Sequence, residues 1–143
     1  MRLTIEIAML LKTVPIFSAV PRDLLLQLAS AVRVLKIPTG ANLLNKGELG
    51  TTMFIIAEGK VMVHDGDLEL AELSRGEVVG ELSALDPELR TATATALEDC
   101  TVFRLDEAQL YELMADDVEV VRGILQVLIR RHRVLMAQSH GDN

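Results

Sequence analysis

The sequence predicts a mainly β protein with flanking helices: an antiparallel β-barrel or jelly roll set between N-terminal helices and a long C-terminal helix. Three observations carry that reading. Short aliphatic and β-branched segments follow one another between residues 32 and 105, with turn residues between them. One of these, Arg90-Thr91-Ala92-Thr93-Ala94-Thr95-Ala96, alternates with a strict period of two, as a strand with one inward face does. Outside that region the apolar residues change to three-four spacing, which suits helices packed on a sheet. The chain has 143 residues, 50% of them apolar, which is enough for one core. Residues 1–143 are therefore read as a single domain, with N-terminal helices over 4–31, a barrel over 32–105 and C-terminal helices over 106–137.

Ile5 to Lys12 forms an amphipathic helix, and Pro15 leads into a second one. Pro21 opens that helix at its first turn, and Leu24, Leu25, Leu26, Leu28 and Ala29 give it an apolar face. Strands are predicted at Val32 to Ile37, Ala41 to Leu44, Met53 to Ala57, Lys60 to His64, Leu68 to Leu73, Glu77 to Val79, Arg90 to Ala96 and Thr101 to Leu105. Asp65-Gly66 joins two of them as a hairpin turn, because glycine tolerates positive φ. Asp106 with Gln109, and Asp116 with Glu119, are capping boxes that start the two closing helices.

The segment Gly80-Glu81-Leu82-Ser83-Ala84-Leu85-Asp86-Pro87-Glu88-Leu89-Arg90-Thr91-Ala92 reads as an anion cradle. A glycine opens a one-turn apolar helix (Leu82, Ala84, Leu85) that Pro87 ends, presenting free N–H groups near Gly80. The alternation that follows puts Arg90 on the face of Ala92, Ala94 and Ala96, so Arg90 points inward if they do. An inward guanidinium needs a permanent partner, and its planar fork suits phosphate oxygens. Glu81 could pair with it internally, or could hold a sugar hydroxyl while Arg90 holds a phosphate. The residues alone leave both readings open.

The block Gly80-Glu81-Leu82-Ser83, followed at this spacing by Arg90-Thr91-Ala92, resembles the phosphate-binding cassette of cyclic-nucleotide-binding domains. That module serves bacterial catabolite-activator-type regulators and cyclic-nucleotide-dependent kinases and channels. A second block, Lys46-Gly47-Glu48-Leu49-Gly50-Thr51-Thr52-Met53-Phe54-Ile55-Ile56-Ala57-Glu58-Gly59-Lys60-Val61, is similar to the family's glycine-punctuated strand pair upstream of the cassette. The resemblance runs from about Val14 to the end of the chain. It implies that Glu81 receives the ribose 2′-hydroxyl and Arg90 the cyclic phosphate. It also implies that Gly80, Leu82 and Ser83 give backbone amides and Thr91 an amide or hydroxyl. Where the family usually has proline directly before the arginine, and often glycine two residues earlier, this chain has Leu89 and Pro87. The ligand it implies is cAMP or cGMP, with cAMP favoured, and no other cofactor.

The last helix, about Asp117 to Ala137, carries two apolar stripes. Val118, Val121, Leu125, Leu128, His132 and Leu135 form one, and Val120, Ile124, Val127 and Val134 the other. Either the whole surface packs on the chain's own barrel, or one stripe covers barrel or ligand pocket while the other pairs with a second subunit, as the resemblance suggests. Arg130-Arg131-His132-Arg133 reads as a solvated helix end, where cations are favoured.

Composition excludes several functions. A net charge of −7 argues against direct nucleic-acid binding, and the shortage of aromatics removes base-stacking platforms. No apolar run is long enough to insert in a membrane, and the start lacks a secretion signal, so a cytoplasmic location is expected. Cys100 allows no internal disulfide and reads as a small core residue. His64, His132 and His140 show no metal-ligand spacing, so no metal site is expected. Ser83 has no base placed near it in sequence and reads as a ligand contact, not a nucleophile. No catalytic residue is expected.

After the long helix only Gln138 to Asn143 remain, with none of the helix-turn-helix found in the transcription regulators of that family. The expected function is a regulatory sensor of a cyclic mononucleotide that signals through its C-terminal helix to an output protein, with a homodimer through that helix as the expected assembly. The alternative is an interaction or dimerisation module that keeps the fold without nucleotide binding.

Overall fold

The computed structural model describes residues 3–80 and 88–141. Helix α1 (Thr4–Thr13), a single 3-10 turn (Pro15–Phe17) and α2 (Arg22–Ala31) come first. The strands are β1 (Arg33–Ile37), β2 (Asn42–Leu44), β3 (Leu49–Gly50), β4 (Thr52–Glu58), β5 (Val61–Asp65), β6 (Leu68–Leu73), β7 (Val78–Val79), β8 (Glu88–Leu89), β9 (Thr93–Ala96) and β10 (Cys100–Asp106). Helices α3 (Glu107–Asp116) and α4 (Val118–Gly141) follow. All strand pairs are antiparallel, in two four-stranded sheets ordered β1-β10-β4-β7 and β2-β9-β5-β6, with β3 and β8 pairing apart from them. The predicted jelly roll with flanking helices is therefore present.

The first sheet is covered on both faces, which explains the unbroken apolar run in β4. Met53, Ile55 and Ala57 point into a core built with α1, α2, the 3-10 turn, α3 and α4. Phe54 and Ile56 point the other way, into a second core with Leu44, Val61, Ala94 and Ala96 of the facing sheet. Strand β10 divides in the same manner, with Phe103 and Leu105 toward the helices and Val102 between the sheets. A strand covered on both faces has no polar side to alternate with.

Three expectations need correction. Arg90 lies outside the alternating strand: β9 begins at Thr93, and Arg90 sits between it and β8. The reason is that Arg90 already pairs elsewhere, its N–H donating to the Glu48 carbonyl at 2.8 Å. The burial parity nevertheless holds, since Arg90, Ala94 and Ala96 are buried. The cap of α4 is Asp117, whose Oδ1 accepts the Glu119 N–H at 2.8 Å, and Asp116 instead closes α3. Pro21 stands at the cap position of α2, one residue before the first turn. The α3 cap is as predicted, with Gln109 Oε1 accepting the Asp106 N–H at 2.8 Å. Gly66 takes φ 59° in the β5–β6 hairpin, as the Asp-Gly reading requires.

Helix α4 packs most of one stripe and leaves most of the other exposed, with Leu128 partly packed and Val134 exposed. Val120, Ile124 and Val127 are buried in the helical core, whereas Val118, Leu125 and Leu135 stand 74%, 52% and 62% exposed. The packed stripe rests mainly on the Pro15–Phe17 turn and on α3, within the same core that holds Met53, Ile55, Phe103 and Leu105 of the first sheet. Gly123 permits this: a Cβ there would meet the Ala19 Cβ at 3.0 Å. Cys100 is buried, with its thiol 3.1 Å from the Glu98 carbonyl and 3.3 Å from that of Lys60. Burial pushes this thiol up from its ordinary pKa, consistent with a core residue.

Candidate functional site

Arg90 stands where the chain passes from the small β3–β8 pair to the second large sheet. Its backbone is pinned on both sides, because its carbonyl also accepts the Gly47 N–H at 2.9 Å. Only 9% of Arg90 is exposed. Its Nη2 donates to the Thr52 carbonyl at 2.8 Å and to the Thr52 hydroxyl at 3.4 Å. Thr52 opens β4, and Gly80 follows β7, the neighbour of β4. The guanidinium therefore lies at the mouth between the two large sheets.

Two glycines make room for it. A Cβ at Gly50 would overlap the Arg90 Cζ and Nε. A Cβ at Gly80 would overlap Nη1 and come within 2.9 Å of the Thr52 carbonyl, and Gly80 also has φ 76°, which side chains other than glycine rarely adopt. The sequence identified Gly80; nothing in the local pattern around Gly50 distinguishes a strand residue from a wall against which a guanidinium packs. Leu89 pairs with Leu49 in the β8–β3 ladder, so strand pairing here imposes the extended backbone that a proline at this position would fix through its ring.

Burial lowers the Arg90 pKa from its ordinary value, and the Glu48 carboxylate opposes that shift. The group remains a cation, because guanidinium is not deprotonated in proteins. Among the described residues no carboxylate lies within 4.0 Å of it, and its side-chain acceptors are the two oxygens of Thr52. Held among the described residues by neutral oxygens alone, this half-desolvated cation favours an anion nearby, since a charge removed from water is costly without a counter-charge. Glu81, Leu82 and Ser83 lie outside the described residues. Gly80 is placed against Arg90, and Thr91 is exposed directly beside it.

The inner face of the second sheet opens toward this arginine. Val61 pairs with Leu73 and with Ala96, and Val63 pairs with Ala71 and with Ala94, so these side chains share one face. Val61, Ala94 and Ala96 are buried, but Val63, Leu73 and Ala92 are only half-buried and Ala71 is exposed. This face is thus buried at the Ala96 end and more accessible toward Arg90, and its side chains are small and aliphatic. An aliphatic surface beside a cation suits an apolar or flat group attached to an anion.

Sequence reasoning missed Glu48 and the polar chain that holds it. From the Glu48 carboxylate, which accepts, Asn45 Nδ2 donates at 3.0 Å and Asn42 Nδ2 donates to Asn45 Oδ1 at 2.7 Å. The Thr95 hydroxyl donates to Asn42 Oδ1 at 2.6 Å, and His64 Nε2 lies 2.8 Å from that hydroxyl. Lys46 fastens the same loop a second time, through an ion pair with Asp65 at 2.8 Å and its N–H to the Thr93 hydroxyl at 3.0 Å. These bonds tie the loop behind Arg90 to β9 and β5. Among the described residues no cluster of His, Cys, Asp or Glu could hold a metal ion, and no helix is long and apolar enough to cross a membrane.

Comparison with known proteins bears on this geometry. Residues 34–117 match the family of the cyclic nucleotide-binding domain. A CRP-like cAMP-activated global transcriptional regulator of Mycobacterium tuberculosis is 31% identical over 123 residues, covering 82% of this chain and 55% of the regulator. A cyclic nucleotide-gated potassium channel of Rhizobium etli is 30% identical over 122 residues, covering 85% of this chain and 34% of the channel. The chain therefore spans about half of the one relative and a third of the other. Among solved structures, the N-terminal domain of a transcriptional regulator from Streptomyces coelicolor superposes with a TM-score of 0.81 at 29% identity, covering 90% of this chain and 93% of that one.

Proposed function

The chain belongs to the cyclic nucleotide-binding domain family, and from that premise we propose that it is a non-enzymatic sensor of cAMP whose output element is α4. The observation that carries this reading is the buried Arg90, its guanidinium seated on Thr52 beside the aliphatic inner face of the second sheet. In this reading Arg90 takes the cyclic phosphate and Glu81 the ribose 2′-hydroxyl. Gly80, Leu82, Ser83 and Thr91 supply backbone amides, and the base lies along the open wall near Val63, Ala71 and Leu73. The cAMP-activated regulator among the relatives supports cAMP over cGMP. A competition assay tests that preference: cAMP should displace a bound fluorescent cyclic nucleotide at lower concentration than cGMP, and the reverse order refutes it.

Ligand binding would act on α4 by shifting the population of its docked position. The close seat of Gly123 on Ala19 gives that position a defined register. The outward stripe of α4 is proposed to pair with a second subunit, because Leu125 and Ile129 are 52% and 47% exposed on one face and symmetric pairing is the commonest way to cover such a surface. Leu125→Glu with Ile129→Glu should convert dimers to monomers in sedimentation. Leu128 is the poorer choice for this test, since it also touches the helical core. A wild type that sediments as a monomer at high micromolar concentration, with and without cAMP, removes the dimer.

A further inference from the structure

We propose that the groove under the overhanging end of α4, opposite the Pro15–Phe17 turn, is a docking site for an acidic amphipathic helix of a partner protein. This deepens the reading of α4 as an output element by naming the chemistry of what reads it. The open groove measures about 670 Å³, and Pro15, Ser18, Val127, Arg130, Val134 and Leu135 are among its lining residues. It lies on the same face of α4 as the packed residues, one step beyond the point where the domain stops supporting the helix. Val127 is the last buried residue of that face, while Arg130, Val134 and Leu135 are exposed. Leu135 belongs to both this groove and the outward stripe, but Leu125 and Ile129, the positions proposed for self-association, do not line it.

Charge selects the occupant. The residues that line the groove include Arg130 and Arg131 and no acid. An apolar floor edged by these arginines is complementary to a segment with an apolar stripe and acidic flanks. Val127 and Val134 are one heptad apart, roughly 10 Å along the axis, so the floor matches two to three turns of a facing helix. A membrane surface fits less well, because the floor is concave and the acidic remainder of the chain would be repelled by anionic lipid. Nucleic acid meets the same repulsion.

The test is a titration of the ¹⁵N-labelled full chain, without nucleotide, with a synthetic helical peptide of about two heptads that carries leucine at a and d positions and glutamate at the flanks. A counterpart with lysine for every glutamate is the control. The acidic peptide should shift the amides of Ser18, Val127 and Val134 with a Kd on the order of 10 to 100 µM, and the lysine peptide should not. Arg130→Glu and, separately, Val134→Asp should each weaken the acidic peptide at least about tenfold. Both positions are exposed, so neither change disturbs the core. Equal binding of the two peptides, no shift at those amides, or shifts confined to Leu125 and Ile129 would overturn the proposal. So would Arg130-dependent binding to phosphatidylserine vesicles with no response to the acidic peptide. Because no nucleotide is present, a failed peptide titration leaves the sensor reading intact, and a protein that ignores cAMP but binds the acidic peptide leaves this one intact.

Discussion

Replacing Arg90 with alanine is expected to weaken cAMP binding at least about thirty-fold while the protein stays folded. The physical basis is the position of Arg90, a residue only 9% exposed whose guanidinium donates to the two oxygens of Thr52. Truncating one partner of a buried, hydrogen-bonded charge pair costs roughly 2 to 5 kcal/mol. In the unliganded protein the same change removes a desolvated cation, so the penalty should appear in binding and not in folding. Fluorescence anisotropy with a labelled cAMP analogue, together with a chemical denaturation curve, separates the two. Unchanged affinity in a folded Arg90→Ala protein would remove the arginine from the site.

Gly50→Ala is expected to have a comparable effect on binding, at least about tenfold, by an indirect route. The added Cβ overlaps the Arg90 Cζ and Nε, so the guanidinium must leave its seat on Thr52. Gly50 has no positive φ, so the change acts through this contact and not through backbone strain. A double-mutant cycle gives the sharper expectation: in the Arg90→Ala background the methyl group meets an empty space, and Gly50→Ala should then cost little. Additive effects would mean that the glycine serves the fold and not the arginine.

Much of this architecture was legible in the sequence for reasons that the structure makes physical. The Thr-Ala alternation had one possible inward face, and Ala94 and Ala96 occupy it. The Asp65-Gly66 turn and the Asp106–Gln109 box are local chemistry, complete within a few residues. What escaped depends on contacts between distant segments. Strands β3 and β8 are two residues each and exist only because Glu48 and Arg90 meet across forty residues of chain. The Pro15–Phe17 turn has no periodicity, yet it carries the seat of α4. Gly50 reads as an ordinary strand glycine until the arginine is placed against it. The side-chain path from Glu48 to His64 crosses three strands, and no spacing in the chain announces it. For α4 the two stripes were visible, but the partner of the packed one was not, since helix and barrel both offer aliphatic surface.

The central claim, that Arg90 anchors a cyclic nucleotide, is tested most directly by calorimetric titration of the unmodified protein with cAMP and with cGMP. Each titration should be run at two temperatures, so that a vanishing enthalpy at one of them is not mistaken for absence of binding. The account predicts saturable one-to-one binding of cAMP, with weaker binding of cGMP. No heat from either nucleotide at both temperatures would contradict it, and would leave a protein that keeps the fold and the buried arginine without the ligand.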